Sequence, residues 1–199
     1  AATGALTMGI AGSSFLGNSA DSGGGAIRLI GGAVLTMSGT LLSGNSLTGG
    51  SGGAFLVEVG AILNLKSSTV SGNFSPNVGG AIEANTAAVL HLTGNKFTEN
   101  RASNGGALSM AGVAANSVAA ILSGNLFQAN FASNRGGAIQ ATGDGFLTSK
   151  SDKFIGNVAV TGQGGGVYLI NTGTSTVTSA LFQGNVAGSS GGGILVSGT

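Results

Sequence analysis

One unit recurs along this sequence and leaves little freedom for the fold. Each copy has a large apolar residue, Asn three positions later, a short variable turn, and then Gly-Gly before a small apolar residue. The apolar–Asn pairs are Phe15/Asn18, Leu42/Asn45, Val70/Asn73, Phe97/Asn100, Phe127/Asn130, Phe154/Asn157 and Phe182/Asn185. Successive apolar members stand 27, 28, 27, 30, 27 and 28 residues apart. The glycine pairs keep step at Gly24-Gly25, Gly52-Gly53, Gly79-Gly80, Gly105-Gly106, Gly136-Gly137, Gly165-Gly166 and Gly192-Gly193. A fixed period in this range marks stacked repeats whose inner faces are buried only by their neighbours.

Aligning the copies on the Phe position exposes further columns. Five residues earlier stand Ile10, Met37, Leu65, Leu92, Leu122, Ser149 and Val177; seven earlier stand Met8, Leu35, Leu63, Leu90, Ala120, Leu147 and Ser175. The residue between them is mostly polar, which is the alternation of a strand with one buried face. A second alternation follows the glycines. Its inward column reads Ile27, Phe55, Ile82, Leu108, Ile139, Tyr168 and Leu195, and two residues on Leu29, Val57, Ala84, Met110, Ala141, Ile170 and Ser197. The Phe column forms a third, short strand. Three strands and three turns per copy predict one coil of a parallel β-helix, with equivalent residues stacked about 4.8 Å apart. Right-handed coiling is the expectation for parallel crossovers. The chain is thus read as one all-β solenoid over residues 1–199, of about seven coils, uncapped at both ends and part of a longer protein. Open sheet edges at such ends predict end-to-end or side association.

The Asn column has its own logic. A turn alone would accept Ser, Asp or Gly. An unbroken run of Asn18, Asn45, Asn73, Asn100, Asn130, Asn157 and Asn185 predicts a structural ladder of stacked amides, because an amide both donates and accepts. Asp in every coil would set like charges above one another. The glycine pair marks a corner with positive φ, or a place where a side chain would strike the next coil.

Composition narrows the function classes. Charged residues are only 7% of the chain and the net charge is +1, against roughly 25% charged in ordinary domains. There is no basic stripe, so nucleic acid is not an expected partner. Cysteine is absent, which removes disulfide and thiolate chemistry. No apolar run approaches the roughly 18 residues of a helical membrane span. The first residues show no signal-peptide pattern. From Ala107 to Ala120 the chain is longer than in the other copies, so Ala111–Asn116 is expected to protrude as a loop.

Candidate chemistry is sparse. Glu58 and Glu83 fall in different outward columns of adjacent coils and can approach one another, and Glu83 follows Arg28 in its column. His91 lies outward between Leu90 and Leu92 without a second metal-ligand type beside it. No nucleophile–base pair stands out, and no catalytic, cofactor or metal residues are expected. The Asn73-Phe74-Ser75 sequon falls on the buried Asn column, against glycosylation. One outward column is unusual. The residues after the ladder Asn are Ser19, Ser46, Phe74, Arg101, Phe131, Val158 and Val186. Phe74, Arg101 and Phe131 thus form a candidate interaction ridge, with a cation between two rings.

The Gly-Gly-Ala-Ile and Phe-x-x-Asn tetrapeptides resemble the repeats of chlamydial polymorphic outer membrane proteins. Phe-x-x-Asn is intact in five copies, with Leu42 and Val70 in the other two. Gly-Gly-Ala is intact in five, with Val167 and Ile194 in the Ala place of the last two. The resemblance implies an autotransporter-like β-helical surface passenger acting as an adhesin. The expected function is therefore a structural or adhesive segment of an extracellular or cell-surface protein, not an enzyme, with a protein or cell-surface glycan as partner. The alternative class is a carbohydrate-active β-helix of the polysaccharide lyase or glycosidase kind. Three or more carboxylates in one groove would favour that alternative.

Overall fold

A computed structural model describes residues 5–112, 117–171 and 173–198. Among these residues all regular structure is β-strand, and every strand pairing is parallel. Three sheets of seven strands run the length of the molecule. The first contains Val34–Ser38, Ile62–Lys66 and Val89–Thr93; the second contains Leu41–Ser43, Thr69–Ser71 and Lys96–Thr98; the third contains Phe55–Val57, Ile82–Asn85 and Leu108–Ala111. Each coil contributes one strand to each sheet, so the molecule is a parallel β-solenoid.

The inward columns fill its core. Leu63, Leu90, Leu65, Leu92, Val57, Ala84 and Met110 are buried, and strand register places each over its equivalent in the next coil. The Phe column shows the effect most plainly. Phe97, Phe127, Phe154 and Phe182 stack with centroids 4.9, 5.1 and 4.7 Å apart and planes within 12° of parallel. Ring spacing here equals coil spacing, so the backbone repeat and the aromatic contact reinforce each other.

The corner after the second sheet holds the amide ladder. From Asn45 to Asn157 each Asn Nδ2 donates to Oδ1 of the Asn in the next coil and to the Phe-position carbonyl of the coil before. Asn100 Nδ2 reaches Asn130 Oδ1 at 3.0 Å and the Val70 carbonyl at 2.9 Å. The same Oδ1 also accepts the backbone N–H of the preceding Asn, as Asn130 does from Asn100 at 3.1 Å. Both amide hydrogens and the carbonyl oxygen are thus used in a buried site. The residue just before each Asn lies in the left-handed region: Gly17, Gly44, Gly72, Glu99, Ala129, Gly156 and Gly184. That turn swings the chain round while leaving the next side chain pointing inward.

The two glycines of each pair have separate tasks. The first, at Gly24, Gly52, Gly79, Gly105 and Gly136, has positive φ. The second is squeezed by the neighbouring coil: a Cβ on Gly80 would stand 2.1 Å from the Gly106 carbonyl oxygen and 2.6 Å from the Arg101 nitrogen.

In four respects the structure extends or differs from the sequence reading. In the last two coils the positive-φ glycines are Gly164 and Gly191, so the corner pairs are Gly164-Gly165 and Gly191-Gly192. Gly166 and Gly193, not Val167 and Ile194, stand in the Ala place. Ile139 pairs with Val167 and Val167 with Ile194, so the inward residues are Val167, Leu169 and Ile194, and Tyr168, Ile170, Leu195 and Ser197 leave that column. Three successive glycines make the alignment ambiguous by one residue, and a one-residue slip reverses a strand's faces. A fourth, shorter set of strands follows the ladder, including Arg101–Asn104, Phe131–Arg135, Val158–Ala159 and Val186–Ala187. Most of these are too short to show a hydropathy period. Ser149, polar in an apolar column, donates its hydroxyl to Asp152 Oδ2 at 2.6 Å. The predicted Ala111–Asn116 loop falls largely on residues 113–116, outside the described residues.

Replacing Asn100 by Ala leaves the buried Asn73 backbone N–H without its acceptor and takes from Asn73 Nδ2 one of its two, the Leu42 carbonyl remaining. At about 1–3 kcal/mol for an orphaned buried group, the loss is about 1–3 kcal/mol, read as a lower urea midpoint. Ala129→Gly has the opposite sign. Ala129 has φ of 52°, and the equivalent Gly72 and Gly156 face open space. Relief of the left-handed strain should raise stability by about 1 kcal/mol in the same titration.

Candidate functional site

The ridge follows directly from the ladder. With Asn73, Asn100 and Asn130 turned inward and buried, the next residue of each coil points out. Backbone pairing stacks Ser46, Phe74, Arg101, Phe131, Val158 and Val186 in that order. Phe74 is 41% exposed, a large fraction for an aromatic ring on a structured corner. Arg101 is exposed and Phe131 half-buried. The Arg101 guanidinium carbon lies 4.4 Å from the centroid of the Phe131 ring, so the cation leans on the ring of the following coil rather than being shared equally by two.

Beside the ridge is a groove of about 250 Å³ bounded by Phe74, Pro76, Arg101, Ser103 and Ser133. The Ser103 hydroxyl donates to the Pro76 carbonyl at 2.7 Å, leaving its oxygen lone pairs for a further donor. Among the described residues the ion pair is Arg28 with Glu58, at 3.0 Å. Exposed Glu99, two residues before Arg101, makes none with it.

Residues 12–29 and 179–197 match the family model of the Chlamydia polymorphic membrane protein repeat. The two matches fall in the first and last of the described coils. No curated protein and no solved structure matches the chain. In structural terms each matched repeat starts at a left-handed residue, Gly12 or Ser179, at the corner leading into the second sheet. It then takes in the Phe-x-x-Asn strand and ladder corner, the ridge position and the glycine corner, and ends in the third sheet. The polymorphic membrane protein repeat and the β-solenoid together fit a surface-type repeat protein.

The other candidates fare differently. Glu58 is paired with Arg28 across adjacent coils. Glu83, expected outward and solvated, is only 5% exposed. Its column, Arg28, Leu56, Glu83, Ser109, Gln140 and Tyr168, faces away from the core. The glycine corners nonetheless close over it: Gly23 abuts the Leu56 side chain, Gly105 the Ser109 Cβ and Gly164 the Tyr168 Cβ. Neither carboxyl is presented to a substrate groove in the way a glycosidase pair must be. His91 Nδ1 sits 2.8 Å from Asn64 Oδ1, and among the described residues no three His, Asp or Glu side chains gather as a metal site. The Asn73 amide nitrogen of the sequon is buried in the ladder and donates to Leu42 and Asn100.

A second ladder escaped the sequence reading. It runs along the corner between the first and second sheets through Thr40, Ser68, Asn95, Asn125 and Asp152. Asp152 Oδ1 accepts both the backbone N–H and Nδ2 of Asn125. The shared signal is again a left-handed residue just before each rung, at Gly39, Ser67, Gly94, Gly124 and Ser151.

Burial pushes the Glu83 carboxyl from 4.5 up to about 8, against hydrogen bonds with Ser109 and Asn85 and with added repulsion from Glu58. The unfolded chain releases this proton near 4.5, whereas the folded chain holds it to about 8. Glu83's contribution to stability is therefore complete below pH 4.5, falls as pH rises, and is lost above about 8, by up to about 1.4 kcal/mol per pH unit. Glu83→Gln should flatten the pH dependence of the thermal midpoint across that window. An unchanged slope would mean that Glu83 is ionised in the folded protein.

Proposed function

We propose that this chain is a structural and adhesive segment of a longer cell-surface or extracellular β-solenoid protein, and that it meets its partner through the Phe74–Arg101–Phe131 ridge. The observation that carries this reading is the exposure of Phe74 and Arg101 on a stacked corner whose inward residues are fully committed to the ladder. Exposed aromatic and arginine side chains are the residue types that most often dominate recognition. A guanidinium on one ring is worth only about 0.5–1 kcal/mol at an exposed site, too little to justify the ridge as a stabilising device. The polymorphic membrane protein repeats support the surface setting.

Changing Phe74 and Phe131 together to Ser, the residue of this column in the first two coils, tests the ridge. Binding to host-type cells should fall roughly tenfold or more while the thermal midpoint stays close to that of the parent. Retained binding would remove the ridge from the contact.

A further inference from the structure

Resting on the ridge as the contact surface, we infer that its ligand is a hexuronic acid residue of an unsulfated acidic polysaccharide. The groove fixes the scale. At about 250 Å³ it lies just below the roughly 300 Å³ at which pockets for small molecules begin. It suits one sugar ring with its neighbours outside. Phe74 offers an exposed apolar surface on which the C–H face of a pyranose can lie. Ser103 and Ser133 border the other side, and the Ser103 oxygen, whose proton goes to Pro76, can accept from a sugar hydroxyl.

The charge comes from Arg101. Its guanidinium carbon lies over the Phe131 ring and the side chain is exposed, so N–H groups turned away from the ring can give a carboxylate two parallel hydrogen bonds. Arg101 has no carboxylate of the protein as an ion-pair partner among the described residues. Phe74 and Arg101 are backbone partners in adjacent coils, about 4.8 Å apart. An anion that reaches Arg101 from a ring lying on Phe74 must be attached directly to that ring and lie near its plane. The equatorial carboxylate of a glucuronate meets both conditions.

The surroundings disfavour a heavily sulfated chain. Equivalent positions in the neighbouring coils are Ser46, Val158 and Val186, the net charge is +1, and no basic stripe continues from Arg101. One cation per site matches a polymer with well-separated single charges rather than a polyelectrolyte, whose binding needs many cations.

The test is an NMR titration of the full 199-residue chain with a hyaluronan tetrasaccharide. Its companions are the same tetrasaccharide with carboxyls reduced to alcohols, a heparin tetrasaccharide, a sialic acid oligomer and a short polyglutamate. Shifts should centre on Phe74, Arg101 and Ser103. Carboxyl reduction and Arg101→Ala should each weaken binding about tenfold or more, with Arg101→Lys in between because it keeps charge but loses the fork. Arg101 is exposed, so these variants keep the fold, which the thermal midpoint checks. The inference is overturned by absence of binding, by equal binding of the reduced sugar, or by tighter binding of heparin, the sialic acid oligomer or polyglutamate. Cell binding that needs the two Phe residues but survives enzymatic removal of uronate polysaccharides would overturn this ligand and leave the ridge standing.

Discussion

The amide ladder at the Phe-x-x-Asn corner is the interaction on which the rest of the molecule depends. Its inner rungs, Asn45 to Asn157, are buried away from solvent, so each amide must find two acceptors and its oxygen must find donors. Stacking one coil on the next meets all these needs at once, because Nδ2 of Asn73 reaches Asn100 and the Leu42 carbonyl together. The geometry works only if Asn repeats at the same place in each coil and the residue before it turns through the left-handed region. Register in all the sheets follows. Once Asn is above Asn, Phe127 lies over Phe154 and Leu63 over Leu90, and the core fills by columns rather than by case-by-case packing.

The same stacking explains why outward is not always exposed. The glycine corners bring the backbone back so tightly that Gly80 has no room for a methyl group. The outer face of the third sheet is roofed in the middle coils. Glu83 is caught beneath, with Oε2 lacking a hydrogen-bond partner, as does Oε1 of the half-buried Gln140. Burial on this scale keeps the carboxyl protonated, since an ionised group there would lose its hydration without gaining a cation. A carboxylate that would read as surface chemistry on an open β-helix is here a packing element with a titration.

At the ridge the logic reverses. The ladder consumes the inward side of the corner and asks nothing of the next residue, which can be Ser, Phe, Arg or Val without disturbing the rungs. Sequence freedom and exposure therefore coincide where a repeat protein can vary its contacts, while its columns hold the scaffold. The match to polymorphic membrane protein repeats covers the segment that builds this corner and leaves the first sheet outside. What those two stretches share is corner architecture, and the outward residues are where this chain can differ.

The sequence by itself determined the period, the parallel β-solenoid, the Phe and Leu columns and the Asn ladder, because stacking makes each column chemically uniform and uniformity can be read without coordinates. It also pointed to Phe74, Arg101 and Phe131 as outward neighbours of the rungs. The second ladder stayed hidden because its column mixes Thr40, Ser68, Asn95, Asn125 and Asp152. Each can accept the N–H of the coil before it, so selection for the hydrogen bond does not preserve residue type. The Gly-Gly-Gly runs at Gly164 and Gly191 concealed a one-residue shift that only backbone dihedrals resolve. The burial of Glu83, the lean of Arg101 onto Phe131 and the groove beside Phe74 were decided by tertiary structure alone. All three depend on how closely one coil's turn approaches the next coil's strand, a distance that no single repeat encodes.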